Sequence, residues 1–436
     1  MVNEISARNR RRAIVVGAGV AGLIAARDLV RGGWEVRVLE ADAHLGHADR
    51  IRRTPDGYLI VPDGGVVVWS GMTALNRHVD LDALGAAPLS SDVIVWDGAE
   101  RHLVQQPLRE PQAVLHPEIG TRSDIARLGT ALLTLRHAAS GSVAEIASAA
   151  EADLSARGIL EDRGFSDTFI ARIARPFLGA ATLDPELAGS AASVSYVGAQ
   201  WGTADAMLLR DGLTAILSAL ATSLPRGVIA IGRRVTAIAS DGRRATGVHV
   251  GDELLPAEVV IVATDPRVAR ELTGIAAIPT ATRATATVFL GHAGTGSCER
   301  RRVVDGTGAL AVTQLVPISD VQPTVAPAGR RLVAAQIIRE EWLAQDDLTL
   351  GGQAAADVAT LTGVGGWEVL AVERDAAVAF VETPGIHRVL PDATTGIPGL
   401  VLATATVDAS LNGAVLAGES AARAADAATL ASYVPD

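Results

Sequence analysis

The run Ala13-Ile-Val-Val-Gly17-Ala-Gly19-Val-Ala-Gly22-Leu constrains the fold of this chain more than any other segment. Ala13 to Val16 is short, uncharged and rich in β-branched residues, the character of a buried parallel strand. Gly17 predicts a tight turn, Gly19 a place where a pyrophosphate can reach the backbone, and Gly22 a close packing of the next helix on the strand. Val20 and Ala21 open that helix, whose unpaired N–H groups and positive dipole end favour phosphate. A second strand, Trp34 to Glu40, ends on an acid placed to accept hydrogen bonds from both hydroxyls of an adenosine ribose. A carboxylate there repels a 2′-phosphate, so FAD or NAD fits better than NADP. In a chain with 44 glycines the spacing alone would mean little. Strand, helix, second strand and acid in register make it a dinucleotide fingerprint. The same apolar run is too short, too rich in glycine and too soon followed by Arg27 and Asp28 to cross a bilayer.

At 436 residues the chain exceeds one ordinary core, so two domains are expected. Mean hydropathy is high at +0.28, but it comes mainly from Ala and Val, with aromatics at 3%, which predicts a well-packed soluble protein with no transmembrane segment. Met1 to Arg12 is polar and Arg-rich, unlike a signal peptide, and Cys298 is the single cysteine. Both features predict a cytoplasmic, reducing setting without disulfides. The net charge of −11 argues against a nucleic-acid partner. All 38 basic residues are arginine, which with abundant Ala and Gly points to a high-GC bacterial genome and rules out a lysine base or Schiff base.

Beyond Glu40 the chain reads as a loop, His44 to Arg50, then a strand and glycine turn from Asp56 to Gly65. From about Asp97 to Ser190 helical patterns such as Ile125 to Leu135 dominate, with a polar, turn-rich stretch from Glu151 to Asp167. Strands return at Val228, Arg234 and Gly247, with Asp241-Gly242 as a hairpin turn, and Val259 to Val262 is an all-apolar strand. The chain closes with a strand, Gly399 to Ala403, and a helix from Asn412 to Ala428. This organisation predicts an α/β fold. A Rossmann-like domain binding FAD or another dinucleotide is expected from three segments, 10–96, 205–272 and 390–430. An α+β substrate domain is built from two insertions, 97–204 and 273–389.

Four stretches together resemble the flavin amine oxidase and phytoene desaturase superfamily, flavoproteins of the glutathione-reductase type. They are the glycine motif with Glu40, Asp56 to Gly65, Asp211 to Pro266, and Gly399 to Ala425. Val259 to Pro266 looks like the second nucleotide-domain motif, and Ser410 to Ala422 like the C-terminal flavin helix. The resemblance implies FAD, held by Gly17, Gly19, Val20, Ala21, Gly22, Glu40, Ala41, His47, Arg50, Gly64, Gly65, Val235, Ala263, Thr264, Ala405, Leu411 and Asn412. In the family the backbone at Val235 lies beside the adenine, and the Leu411-Asn412 turn points N–H groups at the flavin C2 carbonyl. Three departures stand out. The loop Leu45 to Arg50 has one glycine where the family has two. Thr404-Ala405 stands where the family has Gly-Asp, with Asp408 as a candidate substitute acid. The lysine that amine oxidases place opposite flavin N5 is absent.

His44 and His47 sit three apart, but without a cysteine or carboxylate pattern they predict no metal site. His387, just before the final strand, is a weak candidate acid or base against a structural role. Tyr196, Trp201, Trp342, Trp367 and Phe380 are candidates for a substrate cavity, each more often plain core. No Gly-x-Ser-x-Gly elbow supports hydrolase chemistry. The leading expectation is an FAD-dependent oxidoreductase, desaturase- or oxidase-like, acting by hydride transfer on an apolar small molecule or biosynthetic intermediate. The alternative is a redox-neutral isomerase or cyclase on the same scaffold, with FAD non-redox or lost. A non-catalytic binding protein is a third reading, and an oligomer is left open.

Overall fold

The computed structural model describes residues 11–46, 50–114, 119–136, 141–294 and 300–431, so His47 and Cys298 lie outside the described residues. β1 (Arg12–Val16) runs into α1 (Val20–Arg31) and β2 (Glu35–Leu39). Three later segments join them: β3 (Ile229–Ala230), β4 (Val259–Val262) and β5 (Leu400–Leu402). The five form one parallel sheet in the order β3-β2-β1-β4-β5. Burial on both faces explains the run of Val and Ile in β4, all four residues of which are buried. The C-terminal helix α2 (Leu411–Ala431) packs against α1 so closely that a Cβ at Gly418 would lie 2.4 Å from the Ala21 carbonyl oxygen.

A second sheet has seven strands, in the order 368–380, 282–293, 330–337, 314–316, 302–305, 93–96 and 101–104. One face, with Val303, Leu315, Val333 and Ala335, buries against Leu350, Ala354 and Val358 of helix Asp347–Thr362. The other face, with Val93, Val95, Val304, Val316 and Ala334, joins the core shared with α1 and the helical layer. That layer includes helices Arg122–Leu135 and Ala191–Thr203. The stretch read as turn-rich, Glu151 to Asp167, holds a helix at Ala156–Asp162, capped by the Ser155 hydroxyl.

Val93–Trp96 pairs with Arg101–Val104 and Arg302–Asp305 in the seven-stranded sheet, although the sequence reading leaves it with the first nucleotide-domain segment. Its long-range partner decides its place, and nothing local to residues 93–96 reveals it. The hairpin at Asp241-Gly242 forms between Ala237–Ser240 and Ala245–Val250, with Gly242 at φ 85°. Among the described residues no helix is long and apolar enough to cross a membrane, and no group of three or more His, Cys, Asp or Glu could hold a metal ion.

Candidate active site

The glycine turn is built as tightly as its sequence requires. Gly17 has φ 102°, and a Cβ there would lie 2.6 Å from the Ala263 carbonyl oxygen at the end of β4. A Cβ at Gly22 would lie 2.1 Å from the Gly17 carbonyl oxygen, so α1 can approach β1 only through glycine. Gly19 is different: a Cβ there meets nothing within 4 Å, leaving open space before the helix. α1 has no side-chain cap and no acid in its first turn, so its dipole and its Val20, Ala21 and Gly22 amides stay available to an anion.

Glu40 lies at the mouth of this turn, accepting from the Ala18 amide (2.8 Å) and the Asp42 amide (3.0 Å). These bonds fix the carboxylate beside Ala41 at the end of β2. Val235 is buried against the sheet edge with Val16, Leu39 and Val262. Ala263 closes the parallel ladder, its amide donating to the Val16 carbonyl, and Thr264 follows beside the Gly17 turn.

Gly64 and Gly65 sit in a turn against the seven-stranded sheet, where a Cβ at Gly65 would lie 3.0 Å from Ala334 Cβ. Asp63 pins the turn by accepting the Leu213 amide at 2.9 Å, and Gly212, at φ 60°, leaves no room for a Cβ beside that carboxylate. Arg50 pairs with Glu373 of the seven-stranded sheet at 3.3 Å, as Arg52 does at 2.8 Å. Arg50 and Arg52 thus tie this stretch to the seven-stranded sheet.

At the start of α2 the Ser410 amide bonds Asp408 Oδ1 (2.9 Å) and the Gly413 amide bonds Ser410 Oγ (2.9 Å). Among the described residues the Leu411 and Asn412 amides have no acceptor. The Asn412 side chain is engaged elsewhere, its Oδ1 accepting from the Ala74 and Leu75 amides and its Nδ2 donating to the Gly141 carbonyl. Ala405 has φ 51°, the left-handed conformation that favours glycine. That conformation suits the glycine of the Gly-Asp pair that the resemblance expects here, with Thr406 as the next residue. Thr406 Oγ1 is buried without a hydrogen-bond partner, as expected of a group awaiting a ligand. Asp408, the candidate substitute acid, already accepts from Ser410 at Oδ1 and from the Val143 amide at Oδ2.

His387 is not presented to an open site. Its side chain is 1% exposed and held between the Val407 carbonyl (3.3 Å) and Glu382 (3.5 Å). Glu382 accepts from Ser193 Oγ and the Ala409 amide. Burial, reinforced by the charge of Asp408, pushes the Glu382 carboxyl up to about 7, and burial also raises Asp408. No sequence pattern signals this buried pair.

Between the seven-stranded sheet and the helical layer lies an apolar cavity lined by residues including Val93, Val95, Leu132, Phe169, Phe177 and Trp201. Part of its wall is the π-helical stretch Ile170–Ala174, a local widening frequent at functional sites. Of the five aromatic candidates only Trp201 lines it. Trp342 and Trp367 pack on the opposite face of the sheet, Phe380 in the core beside β4, and Tyr196 with Val143 and Ala147.

Fold and site together define a glutathione-reductase-type flavoprotein. The family description "Flavin containing amine oxidoreductase" matches residues 20–426, and the chain belongs to that family: it is an FAD-dependent oxidoreductase. A putrescine oxidase triple mutant superposes with TM-score 0.71 at 16% identity, over 97% of this chain and 99% of that one. A putative protoporphyrinogen oxidase from Exiguobacterium sp. 255-15 gives TM-score 0.66 at 18% identity, over 97% and 99%. At such identities the likeness shows the fold alone. The tRNA 5-methylaminomethyl-2-thiouridine biosynthesis bifunctional protein MnmC of Pseudomonas savastanoi pv. phaseolicola is 31% identical over 126 residues, 24% of this chain. This chain spans 19% of that relative's length.

Proposed function

We propose that the enzyme removes hydride from an apolar small molecule seated in the cavity between the seven-stranded sheet and the helical layer. The cavity carries this reading, because its walls are aliphatic and aromatic over nearly their whole extent. When bound, FAD supplies a two-electron acceptor. Gly17, Gly19 and the start of α1 would hold its pyrophosphate, Glu40 its adenosine ribose, and Val235 its adenine. Thr406 would meet its sugar-phosphate chain, and the Leu411 and Asn412 amides would stabilise negative charge. The division into a nucleotide-binding unit in three segments and a substrate unit in two belongs to the same proposal, with Val93–Trp96 moved to the substrate unit. So does a reducing, cytoplasmic setting.

The chain's own contribution is positioning and a fixed dipole. Among the cavity's lining residues the polar side chains are Ser195 and Arg163, and neither is a carboxylate or histidine. The proton left after hydride removal therefore passes to water. A panel of apolar alcohols, amines and cyclic alkenes mixed anaerobically with the FAD-loaded enzyme tests the reading. A substrate should bleach the flavin's visible absorbance while losing two hydrogens. An unbleached flavin beside a product of unchanged mass would favour the isomerase or cyclase instead.

A further inference from the structure

Arg302 sits opposite Val93 in the parallel pairing of two strands of the seven-stranded sheet. Its side chain therefore leaves the sheet on the same face as Val93 and Val95, which line the cavity. The residue is 2% exposed. Its guanidinium carbon lies 4.7 Å from the centre of the Phe177 ring, part of the cavity wall, and 5.6 Å from that of Trp69. Trp69 follows closely on the Gly64-Gly65 turn, which rests on this same sheet face at Ala334. Arg302 thus touches both the cavity wall and the segment leading from the turn.

Among the described residues no carboxylate pairs with Arg302, and its Nε and Nη2 have no hydrogen-bond partner. Other arginines in the chain are answered: Arg331 meets Asp320 at 3.1 Å and Arg283 meets Asp184 at 3.2 Å. Burial alone lowers the Arg302 guanidinium to about 10, so it stays charged at neutral pH. Stacking on two rings offsets part of the desolvation but leaves the N–H donors at the guanidinium edge without acceptors. Those donors form the fork that matches a carboxylate.

We propose that Arg302 receives the carboxylate of a substrate whose apolar body lies in the cavity beside Phe177, which makes the substrate class an apolar carboxylic acid. This rests on the reading of the cavity as the substrate site. A simple protonated amine is disfavoured there, because an unpaired guanidinium repels it.

Calorimetric titration of the FAD-loaded enzyme with octanoate and phenylpropionate, each beside its amide and its amine, tests the proposal without requiring turnover. The carboxylates should bind roughly tenfold or more tightly than the amides. Arg302→Met should abolish that preference while leaving amide affinities unchanged, and Arg302→Lys should restore part of it. Arg302→Met should also melt no lower than wild type, since Nε and Nη2 have no hydrogen-bond partner to lose; should it fail to fold, the wild-type and Arg302→Lys titrations decide. Equal affinity for acid and amide in the wild type, a preference that survives Arg302→Met, or no binding of any probe overturns the proposal. A carboxylate preference with a flavin that no substrate bleaches would sink hydride transfer and leave the anion site standing.

Discussion

A methyl group added at Gly19 meets nothing within 4 Å, whereas one at Gly22 falls 2.1 Å from the Gly17 carbonyl oxygen. The first glycine therefore serves a ligand and the second serves the fold. Gly19→Val should leave the melting temperature of the FAD-free protein unchanged and abolish FAD retention, read as the ratio of flavin to protein absorbance. Gly22→Ala should destabilise the protein itself, by on the order of 2–3 kcal/mol in denaturant titration, because backbone must move. The orphan hydroxyl of Thr406 gives a quieter test. Thr406→Val has no protein hydrogen bond to lose, so stability should hold, while FAD affinity should fall by about 1 kcal/mol in calorimetry. The glycines were legible in the sequence because their roles depend on the local backbone. Thr406 and Arg302 were not, since their significance is an unanswered polar group, and that appears only once the surroundings are packed. The run Arg300-Arg301-Arg302 reads in isolation as a solvated surface.

At the scale of elements, the approach to α2 carries a buried acid pair whose protons couple to stability. Glu382 is raised from 4.5 to about 7 by burial first and by the charge of Asp408 second, with His387, Asp153 and Ser193 around it. Between those two values the folded chain holds a proton that the unfolded chain has released. Stability should therefore fall as pH rises through this window and level off above it. The loss attributable to Glu382 is at most on the order of 3 kcal/mol. Glu382→Gln should flatten that part of the profile, and denaturant titrations from acid to neutral pH will show whether it does. The strands and the hairpin at Asp241-Gly242 were legible because apolar runs and turn residues are local signals. The pairing of Val93–Trp96 within the seven-stranded sheet is not legible locally, because its partner Arg302–Asp305 lies far along the chain.

For the whole molecule, the cofactor is expected to act as a clamp. FAD would touch β1, β2, the Gly64-Gly65 turn and the start of α2, segments drawn from widely separated parts of the chain. Stripping it should lower the melting temperature of the wild type, by an amount that grows with the FAD excess used for reference, and should leave Gly19→Val unaffected. The order of strands in the parallel sheet has a further consequence, in time rather than space. β1 gains its inner neighbour β4 only after Val262 has been made, and β4 gains its outer neighbour only after Leu400. At roughly 5–20 residues per second, the glycine turn waits some tens of seconds on the ribosome with its sheet unfinished. Pairings this distant in sequence are also slow to form. During that interval β1 has β2 on one side and an unpaired apolar edge on the other, the kind of edge that invites association with another chain.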